Sequence, residues 1–288
     1  MDDLVRGPSL TRGSMAGDLA RALTFLHTFA RRRSPRTVPI PGGFAVLDDR
    51  YPGSHDDNKL IVHTAPDSGD PGDSGDSRDS GGPGNSGGPG QVVGRLVAVA
   101  DEVLAERGHR LVCVDDDRLG TAYAPAFAAA GYEHETNLIM AFRGRVPRDV
   151  PPAERLDLAE LVPVLRREWR GTLPQASDEV VDGLARRVEA RLRGADAVSF
   201  HGVRAPDGEI ASRADLYVDG GVAQIESVFT GEPHRGKGHA RALMTALLAQ
   251  AAEAELIFLM ADANDWPRHF YADLGFEPLG HTHAFLRT

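Results

Sequence analysis

The chain has 288 residues, a length that suggests about two domains. Hydrophobic residues make up 41% of it, enough for a sizeable core. Acidic residues number 42 against 32 Lys plus Arg, a formal charge of −10 that argues against a general nucleic-acid binder. The single cysteine, Cys113, excludes an intramolecular disulfide and a Cys-based zinc site. No apolar run approaches the ~18–20 residues that span a bilayer, so no membrane partner is expected. The start Met1-Asp2-Asp3 lacks the basic-then-apolar pattern of a signal peptide, and a cytoplasmic location is expected.

In chain order, 15–33 reads as an amphipathic helix with a basic end, packed on a domain. Short strands are predicted at 43–48 and 58–63. Residues 67–90 then run as triplets, DSG DPG DSG DSR DSG GPG NSG GPG, which read as a flexible acidic insert. A helix over 92–107, a strand at 110–115, a helix near 119–130 and a strand near 137–143 close the first half. The segment 144–157, with Pro147, Pro151 and Pro152, reads as a linker. Helices over 157–168 and 177–193 follow, the second opened by Ser177-Asp178-Glu179. Three antiparallel strands are predicted at about 196–203, 209–218 and 222–230. The chain ends with a polar loop at 231–237, a helix at 238–254, a strand at 256–261, a helix near 265–273 and a strand near 281–287.

The two halves close alike. Each runs strand, helix, a Gly-aromatic-Glu corner (Gly131-Tyr132-Glu133 and Gly275-Phe276-Glu277), then a strand ending in an aromatic and Arg. This predicts duplication of one domain. The boundaries drawn are 1–146, with the Gly/Ser/Asp-rich insert at 65–91, and 153–288.

The clearest chemical signal is HRGKGHA, residues 234–240, between the strand 222–230 and the helix 238–254. The first amides of a helix have no internal partners, and the helix dipole favours an anion there. Gly236 and Gly238 allow close backbone approach, and Arg235, Lys237 and Arg241 add local positive charge. This is an anion site suited to a pyrophosphate.

Arg235-x-x-Gly238-x-Ala240 resembles the Gln/Arg-x-x-Gly-x-Gly/Ala signature of the GNAT superfamily of acetyl-CoA-dependent N-acetyltransferases. Asn264, then Tyr271 and Leu274-Gly275-Phe276, is similar to that family's Asn…Tyr-x-x-x-Gly-Phe run. The resemblance covers about 155–288. It implies an α/β fold, a GNAT-like mixed and mainly antiparallel sheet flanked by helices, here as two tandem copies with a degenerate N-terminal one.

For the site, the resemblance implies acetyl-CoA as cosubstrate and no metal. The amides of Gly236, Lys237, Gly238, His239, Ala240 and Arg241 would hold the pyrophosphate, with Arg235 lining the loop. Val228, Phe229 and Thr230 would splay from the neighbouring strand and bind the pantetheine arm. Asn264 would touch the cofactor, unless it merely caps the next helix. Tyr271 would be the general acid, and Glu226, in Ile225-Glu226-Ser227-Val228, would take or orient the amine proton. Alternation puts Gln224, Glu226, Val228 and Thr230 on one face. Some family members carry a base five residues before the Asn, where this chain has Leu259. His281 and His283 share a strand face, but no carboxylate in the sequence completes a metal set.

The function expected is transfer of an acetyl group to a small-molecule or peptide amine by direct attack, in a monomer or homodimer. The alternative is an inactive acetyl-CoA-binding or regulatory protein.

Overall fold

The structure is a computed structural model that describes residues 15–66 and 88–288. Most of the triplet insert lies outside the described residues. In chain order the elements are α1 (Met15–Arg33), β1 (Arg36–Ile40), β2 (Gly43–Leu47), β3 (Lys59–Val62), α2 (Pro89–Val103), β4 (Arg110–Val114), α3 (Asp117–Ala129), β5 (Glu133–Phe142) and β6 (Glu154–Leu156). There follow α4 (Leu158–Thr172), α5 (Asp178–Arg186), α6 (Val188–Arg191), β7 (Ala197–Arg204), β8 (Ile210–Asp219), β9 (Val222–Thr230), α7 (His239–Gln250), β10 (Leu256–Asp262), α8 (Pro267–Asp273) and β11 (Phe276–Arg287).

Several boundaries differ from the sequence expectation for local reasons. Helix α2 begins at Pro89, inside the expected insert, because proline suits the first turn, where no amide partner is needed. The segment read as a linker contains β6, which pairs with β7 from Leu156↔Phe200 to Glu154↔Gly202. Strand β1 adds to the expected strands; Pro39 within it lowers the strand signal of its sequence. The helix expected over 177–193 is two helices, α5 and α6, the first capped by the Ser177 hydroxyl accepting from the Val180 amide.

The described chain forms two compact units. One contains 15–35 and 137–280, the other 36–66, 88–136 and 281–288. They do not coincide with the chain halves 1–146 and 153–288.

In the larger unit, β6, β7, β8 and β9 form an antiparallel meander, β9 pairs with β10 in parallel, and β10 pairs antiparallel with 137–141 of β5. One core joins α1, α4, α5 and the sheet through Phe25, Phe29, Leu161, Leu165, Ala185 and Phe258. Helix α1 is tied in by a buried ion pair of Asp18 with Arg143. The second core carries α7 and α8 through Leu243, Leu247, Tyr271 and Phe276.

In the smaller unit, β1, β2 and β3 are antiparallel, β3 pairs with β4 in parallel, and β4 pairs antiparallel with 283–287 of β11. Its core is Leu60, Leu96, Val112, Phe127 and Phe285, with the Phe127 and Phe285 rings stacked at 4.2 Å. Both units are mixed, mainly antiparallel sheets flanked by helices, as the sequence implied.

Candidate active site

The site of the larger unit is built where β9 leaves β10. The two strands pair only from Val222↔Leu256 to Gln224↔Phe258. From Phe258 onward β10 pairs on its other edge with β5, while β9 continues to Thr230 held by β8 alone. The β10-facing edge of β9 from Ile225 to Thr230 is therefore left out of the ladder, and it includes Val228, Phe229 and Thr230.

Within that stretch Ser227 has φ 55°, the one non-glycine residue with positive φ among the described residues. The register steps from Asp215↔Glu226 to Arg213↔Phe229, so β9 carries one extra residue. This β-bulge reverses the alternation after Ser227 and corrects the expectation that Gln224, Glu226, Val228 and Thr230 share a face.

Side chains hold the bulge. Arg191 donates to the Ser227 hydroxyl at 3.0 Å and to Asp215 Oδ2 at 2.5 Å. Arg213 donates to the Ser227 carbonyl oxygen at 3.0 Å while its guanidinium grips Glu168 on α4. The buried Tyr217 hydroxyl donates to Asp215 Oδ2 at 2.6 Å, and burial keeps its pKa far above the usual phenol value. A left-handed non-glycine residue costs about 1–3 kcal/mol. Hydrogen bonds from charged groups contribute about 1.5–3 kcal/mol each, so these two donors are sufficient to hold it. Sequence reasoning missed Glu168, Arg191, Arg213, Asp215, Tyr217 and Ser227. The available signal was a charged pair, Arg213 and Asp215, inside the strand predicted at 209–218. A small cleft beside the bulge is lined by Trp169, Arg187, Arg191, Arg213 and Ser227.

The loop after β9 folds as the sequence suggested. Gly236 and Gly238 have φ 73° and 84°, a region that favours glycine. A Cβ at either would meet no protein atom, so the space beside them is open. Gly238 is the N-cap of α7 and no side chain caps it, which leaves the amides of His239, Ala240 and Arg241 without an intrahelical partner. Arg235 Nε donates to the Thr230 carbonyl oxygen at 3.3 Å, folding that side chain along the loop. Lys237 is exposed.

Tyr271 on α8 is buried, and burial with the nearby Glu226 carboxylate pushes its pKa up to about 12. It is therefore a weaker acid in this state than an ordinary phenol. Glu226 also accepts a hydrogen bond from the Gln224 amide at 2.7 Å. Asn264 is exposed and does not cap α8; Trp266 occupies that position, with no side-chain cap. Leu259 is buried in the apolar core.

In the smaller unit the structure supplies the carboxylate that the sequence did not show beside His281 and His283. Asp117 Oδ1 accepts from His283 Nε2 at 3.0 Å, and His283 Nδ1 lies 2.9 Å from His134 Nε2. The imidazole is thereby spent on hydrogen bonds. Among the described residues no group of His, Cys, Asp and Glu is arranged to hold a metal ion. Among them no helix is long and apolar enough to cross a membrane.

The model of the acetyltransferase (GNAT) family matches residues 159–276. No curated protein matches the chain by sequence. A GCN5-related N-acetyltransferase from Kribbella flavida is similar over 96% of both chains, at 18% identity and TM-score 0.55. A tandem GNAT protein from the clavulanic acid biosynthesis pathway covers 97% of this chain and 96% of its own, at 16% identity and TM-score 0.50. A functionally unknown conserved protein from Staphylococcus epidermidis reaches TM-score 0.62 at 10% identity, over 88% of this chain and 93% of its own. These likenesses are of fold. The loop and the parted strands both lie within residues 159–276, the stretch that matches the GNAT acetyltransferase family.

Proposed function

We propose that the protein is an N-acetyltransferase that moves the acetyl group of acetyl-CoA to an amine by direct attack, with no covalent enzyme intermediate. The observation that carries this reading is the parting of β9 from β10 after Gln224, with an uncapped helix N-terminus at one end of the opening. The loop amides from Gly236 to Arg241 bind the pyrophosphate, with Arg235 beside them. The free edge of Val228, Phe229 and Thr230 pairs with the pantetheine arm. An amide at the bulge faces the thioester oxygen and stabilises the negative charge that develops on it. Asn264 meets the amide-bearing arm.

The acceptor, a small-molecule or peptide amine, enters beside Ser227. Its nitrogen forms the C–N bond as the C–S bond breaks. Glu226 takes the proton that the nitrogen loses, directly or through a water, and Tyr271 gives a proton to the departing thiolate. The two roles are coupled. Glu226 raises the Tyr271 pKa while it is charged. Once it accepts the amine proton, that charge is gone and Tyr271 is a stronger acid than before, although burial still holds it above an ordinary phenol. A proton passing from Glu226 to the Tyr271 phenolate resets the site. The roles need no metal and no nucleic acid, and they are complete in one chain, whether monomer or homodimer. A cytoplasmic pool of acetyl-CoA would supply the donor.

The test is thiol release from acetyl-CoA across a panel of amines. Turnover with at least one amine, lost in Tyr271→Phe, supports the reading. Tight CoA binding with no thiol release across the panel would assign a binding or regulatory role instead.

A further inference from the structure

We infer that Trp266, Phe270 and Arg241 form a seat for the adenosine 3′-phosphate end of CoA. Trp266 is 67% exposed, the most exposed large apolar side chain among the described residues. A bare indole on a surface marks a contact site more often than a packing defect. This one does not hang free. Its ring stacks on Phe270, with centroids 6.0 Å apart and planes 18° apart. Phe270 in turn lies under the Arg241 guanidinium, 5.8 Å from its centroid. The indole is thus held as a fixed plane before any ligand arrives, which lowers the ordering cost of binding.

Arg241 ties this plane to the anion loop. It stands in the first turn of α7, directly after Ala240, so its amide belongs to the uncapped N-terminus while its side chain reaches the aromatic pair. A ligand that satisfies all three features carries a pyrophosphate, a flat heteroaromatic ring and a further anionic group. A purine nucleotide with an additional phosphate has that chemistry. Bases stack on any aromatic face, and arginine supplies both charge and donors to a phosphate. The inference rests on the reading that the loop holds the CoA pyrophosphate, and it does not depend on the acceptor or on turnover.

The experiment is calorimetric titration of the full chain with CoA, 3′-dephospho-CoA and 4′-phosphopantetheine. It compares wild type, Trp266→Ala and Arg241→Gln, with folding checked by circular dichroism. Trp266→Ala should weaken CoA and 3′-dephospho-CoA by about tenfold or more and leave 4′-phosphopantetheine unchanged. Arg241→Gln should weaken CoA several-fold more than 3′-dephospho-CoA. Trp266→Ala binding CoA as tightly as wild type overturns the inference. So does an equal loss for CoA and 4′-phosphopantetheine. If the pattern holds and no amine is acetylated, the seat stands and the transferase reading falls. If amines are acetylated and the pattern fails, only the seat falls. A wild-type chain that binds no CoA removes both.

Discussion

In both units an antiparallel strand leads through a crossover helix to a parallel neighbour, β9–α7–β10 in the larger and β3–α2–β4 in the smaller. They differ at the strand end. In the smaller unit β3 and β4 stay paired from Leu60↔Val112 to Val62↔Val114, and the Asp115 amide still donates to the Val62 carbonyl oxygen at 2.9 Å. In the larger unit the partners separate after Gln224, a bulge follows, and a glycine loop opens α7. The same wiring therefore yields a closed ladder in one unit and an open edge in the other. A pantetheine arm has backbone groups to pair with only where the ladder is open. The difference teaches that the open-edge geometry is a local departure from the shared fold, held by specific side chains.

The broadest expectation from this contrast is one CoA site per chain. Calorimetry that returned two equivalent sites would break the comparison outright. Next in size is Tyr271→Phe, expected to lower kcat by about 10²–10⁴-fold with little change in KM for acetyl-CoA. Retained activity would remove Tyr271 from its role.

Arg213→Met leaves the partly buried Glu168 without its partner and should cost about 1–3 kcal/mol in urea unfolding. Pairing it with Glu168→Leu should recover much of the stability but not kcat, because the Ser227 carbonyl still lacks its donor. Recovery of both would show that the clamp only supports the fold. Gly238→Ala puts a side chain at φ 84°, a strain of about 1–2 kcal/mol, and CoA affinity should fall about tenfold in the same titration.

The smallest effect concerns alkaline pH. Tyr271 titrates near 12 in the folded chain against an ordinary 10. Its stabilising contribution is complete below about pH 10 and is lost as the pH rises through about 12. Tyr271→Phe should flatten the fall of Tm across that window. An unchanged slope would contradict the burial of this phenol.

Much of the site was legible in the sequence because its parts are local. A glycine pair at a strand-to-helix junction states its own geometry, and HRGKGHA folds as an uncapped, open helix start. The order of elements was legible too, since hydrophobic period and turn residues act over short spans. The bulge was not. Ser227 gives no sign of positive φ, and the arginines that hold it come from α6 and β8, 36 and 14 residues away in sequence. Asp117 beside His283 was invisible for the same reason, since the two are far apart in the chain.

The sequence by itself determined the repeated order of elements, the glycine loop and the likeness of the two closing strands that carry Phe142 and Phe285. Tertiary structure alone decided where those strands go. Phe142, from the first half of the chain, is buried in the larger unit's core, and Phe285, from the last strand, in the smaller unit's core. Each half's closing strand thus completes the sheet built mainly by the other half, and α1 joins the unit of 137–280. The physical reason is that a strand's own pattern specifies that it is a strand and which face is apolar. The edge it pairs with is chosen by hydrogen bonds and packing between residues far apart in the chain, which two near-equivalent strands cannot encode locally.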